Sequence, residues 1–240
     1  MIYTILPTLF LLFVSYCTQK QHLADNTIRN RAAYTANIKP TIDSKTEQVY
    51  KRLHSDKFAL PKLESFIEAF KGYYTLKEKG VIQKEILTII DFSLSSNVKR
   101  LWVINIETGE IVFHSLVAHG RNTGEEYASQ FSNAPESYKS SLGFYATGEI
   151  YTGKHGMSLR LDGLEKGVND NARARGVVMH AADYVSDSFI KNNQRLGRSQ
   201  GCPAVPAGIS KEIITLIQKK SCFFIYHPSR IRVLSEKNIS

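Results

Sequence analysis

Apolar and polar positions divide this chain into stretches of different texture. Residues 1–16 carry no charged side chain and include Leu6, Leu9, Phe10, Leu11, Leu12, Phe13 and Val14, after which the chain turns polar at Thr18, Gln19 and Lys20. The run is shorter than the roughly 20 apolar residues of a membrane span and has the length of the apolar core of a secretion signal, although no Lys or Arg precedes it. Residues 18–43 are polar without periodicity and read as a tether. In residues 44–70, Val49, Leu53, Phe58, Leu60, Leu63, Phe66, Ile67 and Phe70 have the spacing of two short amphipathic helices broken near Lys57. Pro61 suits the first turn of the second.

From Ile86 the period shortens. Residues 86–92, 101–106 and 110–117 are runs of β-branched and aromatic residues, and Glu107-Thr108-Gly109 joins the last two as a hairpin link. Further strands are expected at 143–150, 158–161, 176–180 and 222–227. Residues 120–141 form a long polar connection, of a kind that is often functional or mobile. Residues 207–219 carry Ile209, Ile213, Ile214 and Ile217 at helical spacing and end in Lys219-Lys220, favourable at a helix C-terminus. The pattern predicts a mainly β, largely antiparallel domain over 81–230, a small helical section over 44–80 and a tail over 231–240.

Composition supports one folded unit. The 240 residues are 42% hydrophobic and 22% charged, close to soluble globular proteins. A net charge of +9 raises the question of nucleic acid, but the cations are spread along the chain with no stripe of Lys and Arg among aromatics, so none is expected. A basic surface suits an anionic cell envelope.

The three cysteines differ in setting. Cys17 closes the apolar leader. Cys222 lies in an apolar run where cysteine behaves as a small hydrophobe. Cys202 stands in the turn Ser199-Gln200-Gly201-Cys202-Pro203, where packing gives no reason for a thiol. A nucleophilic cysteine needs a depressed pKa or a base within reach. His180 ends the apolar run Gly176-Val177-Val178-Met179, 22 positions earlier (202 − 180), and is the candidate general base. Backbone amides of Gly201 and Cys202 are candidate oxyanion donors. A disulfide between Cys202 and Cys222 is the alternative, permitted in an oxidising compartment. No His-Glu-x-x-His or paired Cys-x-x-Cys spacing suggests a metal, and no Gly-rich phosphate loop suggests a nucleotide. The order histidine then cysteine is the reverse of papain-like proteases.

The segment from Met179-His180 to Arg198-Ser199-Gln200-Gly201-Cys202-Pro203 resembles the L,D-transpeptidase catalytic domain (YkuD-like) family, in which a histidine precedes Ser/Thr-His-Gly-Cys by sixteen to nineteen positions; here 199 − 180 = 19. Val117-Ala118-His119-Gly120-Arg121, Ser140 to Tyr145 and Ser158 to Glu165 resemble its murein L,D-transpeptidase branch. The resemblance spans residues 86–226 and leaves out the early helices. It implies an L,D-transpeptidase-like β-sandwich or barrel with short flanking helices, acting without a cofactor on peptidoglycan stem peptides. A thioester at Cys202 would pass to an amine or to water, so transpeptidase and carboxypeptidase both stay open. His180 would be general base and acid, oriented by the main-chain carbonyl of Ala181. Ser199 matches the motif serine and Gln200 replaces the motif histidine, and the resemblance implies that both contact substrate; Ala204 stands where the family has Asn or Arg. Arg198 could grip a stem carboxylate in its place, and His155 and His119 match or neighbour family positions, His155 as a groove residue. Val14-Ser15-Tyr16-Cys17 resembles a lipoprotein box, which implies an exported protein of the periplasm or envelope, with membrane attachment through a Cys17 lipid; simple cleavage and an uncleaved anchor are the alternatives. The rival reading is a non-catalytic peptidoglycan-binding envelope protein with an idle or disulfide-bonded Cys202.

Overall fold

A computed structural model describes residues 41–230. The leader with Cys17, nearly all of the tether and the tail over 231–240 lie outside them. Among the described residues no helix is long and apolar enough to cross a membrane.

Two helices come first, α1 (Ile42–Arg52) and α2 (Leu63–Glu78). The second differs from expectation. Pro61 lies ahead of the N-cap Lys62 rather than in the first turn, and the helix runs two turns past Phe70. Phe66, Ala69, Phe70 and Tyr73 continue one apolar stripe, and that stripe has a sheet to cover.

The sheet contains β1 (Ile86–Asp91), β2 (Leu101–Asn105), β3 (Ile111–Ser115), β4 (Gly143–Gly153), β5 (Gly156–Gly163), β6 (Val178–Ala181), β7 (Ala204–Val205) and β8 (Cys222–Tyr226). Its order is β3-β2-β1-β8-β4-β5-β6-β7. Most neighbours are antiparallel as expected, but β1 with β8 and β6 with β7 are parallel. The two ends meet, because Ala118, just past β3, donates its N–H to the Ala204 carbonyl of β7 at 2.9 Å. The result is a nearly closed barrel.

Alternation along the strands supplies two cores. Ile90, Val103, Tyr145, Met179 and Phe223 point inward, where they meet Ile213, Ile214 and Ile217 of α4 (Ala207–Ile217). Leu87, Ile89, Trp102, Ile104, Phe144 and Phe224 point outward and are covered by α1 and α2. Covering on both faces is why residues 86–92 read as an unbroken apolar run instead of alternating. The early helices thus belong to the same compact unit as the strands.

Two short elements were not anticipated. The helix α3 (Asp187–Asn193) buries none of its side chains, so it has no apolar stripe, yet Ser186 caps it by accepting the Phe189 N–H at 3.3 Å. Strand β7 has only two residues, too few to show a period. The connection at 120–141 carries no long helix or strand, but it is tied internally: the Ser140 N–H donates to Thr123 Oγ1 at 2.8 Å and the Asn122 N–H to the Tyr138 carbonyl at 3.2 Å.

Candidate active site

Strand β6 presents alternate residues to opposite sides. Met179 enters the inner core, while Val178 and His180 line a cavity of about 530 Å³ at the surface. His180 Nδ1 lies 2.8 Å from the Ala181 carbonyl, the orienting contact expected of that residue. A carbonyl only accepts, so Nδ1 carries the proton and Nε2 offers a lone pair. Burial holds the His180 pKa below its ordinary value, and the neighbouring His155 and Lys154 push the same way, against the hydrogen bond to Ala181. The ring is neutral at neutral pH.

Strand β7 brings the cysteine to this place. Its parallel register sets Ala204 beside His180, which places Cys202, two residues earlier, alongside Val178. Cys202 Sγ accepts the Val178 N–H at 3.5 Å and faces the Gly176 carbonyl at 3.8 Å. Two strand residues span roughly 6.6 Å, so thiol and imidazole share the cavity while each keeps its own hydrogen bonds. Burial pushes the Cys202 thiol up; the Val178 N–H and the charges of Arg175 and Lys154 oppose this. At rest the pair is a neutral thiol and a neutral imidazole.

The turn before the cysteine is held from within. Ser199 Oγ donates to the Cys202 carbonyl at 2.6 Å and accepts the Gly201 N–H at 3.0 Å. Ser199 lines the cavity but is buried, and its hydroxyl is spent on the turn; the Gly201 N–H, expected as an oxyanion donor, is thereby occupied. The Cys202 N–H is left as the amide available for an oxyanion. Gly201 has φ +116°, and a Cβ there would come within 2.8 Å of the Lys139 carbonyl, so only glycine fits. The polar connection packs on this turn through Ser140, whose hydroxyl accepts the Gly120 N–H at 3.0 Å and donates to the Gly201 carbonyl at 3.2 Å.

The remaining residues singled out in the sequence separate into two groups. Gln200 is exposed at the cavity. His155, in the β4–β5 turn, stacks on the His180 ring with centroids 4.3 Å apart and planes at 18°. Arg198 also lines the cavity, but its guanidinium is bound to Glu125 at 2.5 Å and to the carbonyls of Arg121 and Gly124. Ala204 is buried against Leu116, Ala118 and Ala182, away from any ligand. His119 lies beneath the site. Its Nδ1 accepts from Arg100 at 2.8 Å, Nε2 donates to the Gly124 carbonyl at 3.1 Å, and its own carbonyl takes the Ser199 N–H at 3.0 Å. Burial and the Arg100 charge pull its pKa down to about 4.

The sequence reading missed Arg121, Tyr138, Lys154, Arg175 and Tyr184, all of which line the cavity. Only their loop positions beside residues 119, 155, 176 and 185 hinted at it. Cys222 lies in β8 among the residues under the helices, and both Cys202 and Cys222 are free thiols, so the disulfide alternative fails. Among the described residues no group of three or more His, Cys, Asp or Glu side chains is placed to hold a metal ion.

No curated protein matches the chain. Solved structures match at low identity: an L,D-transpeptidase from Mycobacterium smegmatis (11% identical, TM-score 0.37, covering 60% of this chain and 59% of that one) and the helical cell shape determining protein Pgp2 of Campylobacter jejuni (14%, TM-score 0.39, 65% and 53%). Bd1075 of Bdellovibrio bacteriovorus is a third (16%, TM-score 0.36, 65% and 56%). The chain thus spans less than two thirds of the length of these structures. The family model for the L,D-transpeptidase catalytic domain matches residues 60–226 and so takes in α2, beyond the reach of the sequence resemblance. On that match, which covers well over half of its length, the chain belongs to the L,D-transpeptidase catalytic domain family.

Proposed function

We propose that this protein is an exported cysteine acyl-transferase of the bacterial cell envelope that acts on peptidoglycan stem peptides, as an L,D-transpeptidase, an L,D-carboxypeptidase or both. One observation carries the reading: the paired strands β6 and β7 bring His180 and Cys202 to one cavity, with His180 fixed as a neutral imidazole by the Ala181 carbonyl.

In the proposed reaction the thiol swings from the Gly176–Val178 backbone toward His180, and Nε2 takes its proton as Sγ attacks the scissile carbonyl. The resting groups are both neutral, so the proton moves during attack instead of beforehand. The tetrahedral oxyanion is met by the Cys202 N–H. Collapse breaks the C–N bond, His180 returns the proton to the leaving amine, and a thioester remains on Cys202. An amine acceptor then yields a cross-link, or water yields a shortened stem. Side chains and backbone amides supply all of this without a cofactor. Export through the leader, with or without a Cys17 lipid, would place the enzyme beside its polymer.

The test is mass spectrometry of the protein incubated with a defined disaccharide-tetrapeptide, with and without an amine acceptor. A mass increase on Cys202 equal to the acyl fragment, absent in Cys202→Ala, is the expected result. Product formation that survives in Cys202→Ala would sink the proposal, and an intact protein with no adduct would favour the non-catalytic binding reading.

A further inference from the structure

The charges lining the cavity are unbalanced. Arg121, Lys154, Arg175 and Arg198 face a single carboxylate, Glu136. Two of these cations are spent on the protein itself. Arg198 is paired with Glu125. Arg175 distributes its donors over the Ser132 and Lys139 carbonyls and the Ser141 and Ser137 hydroxyls, at 2.6 to 3.2 Å. Arg121 and Lys154 differ. Both are exposed, and among the described residues neither has an ion-pair partner, although other surface arginines do: Arg173 binds Glu149 and Asp162.

Arg121 is nevertheless held in place. Its guanidinium lies over the Tyr138 ring at 3.9 Å, and its N–H donates to the Ser199 carbonyl at 2.8 Å. Tyr138 is itself fixed by an unusual backbone, φ +52°, and Gly120 makes room for the Tyr138 carbonyl, which a Cβ would meet at 2.5 Å. A guanidinium stacked on an aromatic face keeps its N–H edge free for a planar anion and gives up little entropy on binding it. Lys154 enters from a different element, the β4–β5 turn, next to His155 and hence to the base. Two unpaired cations on separate segments of one concave site concentrate positive potential where a ligand must sit.

We propose that Arg121 and Lys154 are the specificity-determining residues of the donor site, that they bind free carboxylates of the stem peptide, and that stems with amidated carboxylates are therefore discriminated against. This rests on the cavity being the donor site of the reaction above. Charge-assisted pairing with a carboxylate is lost when an amide takes its place.

The full chain carrying Cys202→Ala allows binding to be measured apart from turnover. Two otherwise identical disaccharide-tetrapeptides, one with free stem carboxylates and one amidated, are titrated by calorimetry. The free acid should bind about tenfold or more tightly, a preference that falls toward unity when Arg121→Gln or Lys154→Gln is added. Arg121→Lys should keep part of it. Equal affinity for both peptides, binding of neither, or a preference unchanged in both glutamine variants would overturn the inference. If Arg121→Gln does not fold, Lys154→Gln carries the test from the other segment. A preference in binding without any thioester in the parent protein would refute the proposed reaction and leave the specificity claim standing. Turnover of both peptides at equal efficiency would do the reverse.

Discussion

Cys202 is the lateral neighbour of Val178, whose N–H its sulfur accepts at 3.5 Å, and that register decides the resting chemistry. A thiol raised by burial and an imidazole lowered by burial do not exchange a proton before substrate arrives. Alkylation of Cys202 by iodoacetamide in the free protein should therefore stay slow through neutral pH and rise only above pH 9, the ordinary value for an unperturbed thiol. Fast labelling at pH 7 would show a preformed thiolate.

Catalysis should follow the imidazole. Because the His180 pKa lies below 6.5, the base form predominates at neutral pH, and kcat/KM should fall on acidification, with a midpoint under 6.5. His180→Gln should lower kcat/KM by about 10² to 10⁴. A profile with a midpoint at 7 or higher would contradict the burial argument.

His155 covers one face of the base. An aromatic contact of this kind contributes ~0.5–1.5 kcal/mol, so His155→Ala should reduce kcat by up to about tenfold. His155→Phe should restore most of it, and steady-state kinetics of both variants separate ring packing from any need for imidazole nitrogen.

The turn depends on a single hydroxyl. Ser199→Ala removes the donor to the Cys202 carbonyl and the acceptor of the Gly201 N–H in a buried place. The cost should be ~1–3 kcal/mol in urea denaturation. Thiol labelling should also become less uniform as the turn loosens.

His119 links stability to pH. Its folded pKa is about 4 against an ordinary 6.5, so the unfolded chain binds the extra proton first. The stabilisation is complete above pH 6.5 and is lost as pH falls toward 4, amounting to ~3 kcal/mol. Urea midpoints measured across that range should show the loss, and His119→Asn should flatten it.

Much of this site was legible in the sequence because its chemistry is carried by residue types that packing does not favour. Cys202 in a Gly-Pro turn and His180 at the end of an apolar run stood out on those grounds, and each strand from Ile86 onward except β7 had enough residues to show its texture. What stayed hidden depends on partners far along the chain. Arg198 and Arg121 look alike in sequence; only the fold shows Glu125 on the first and Tyr138 under the second. Ser199 looked like a ligand contact because nothing local reveals that its hydroxyl closes the turn. Strand β7 gave no period in two residues, yet it sets the register of the whole site.

The seam between the barrel's ends has a consequence for the sheet's edge. Strand β3 would otherwise offer a row of open backbone groups, a template on which a second chain could add a strand. It is covered near one end by His54, whose carbonyl takes the Ile111 N–H at 3.1 Å, and just past the other by Ala118 bound to Ala204. The same bond that steadies the nucleophile's strand thus also covers the backbone just past β3, so one contact serves both the site and the sheet's exposed edge.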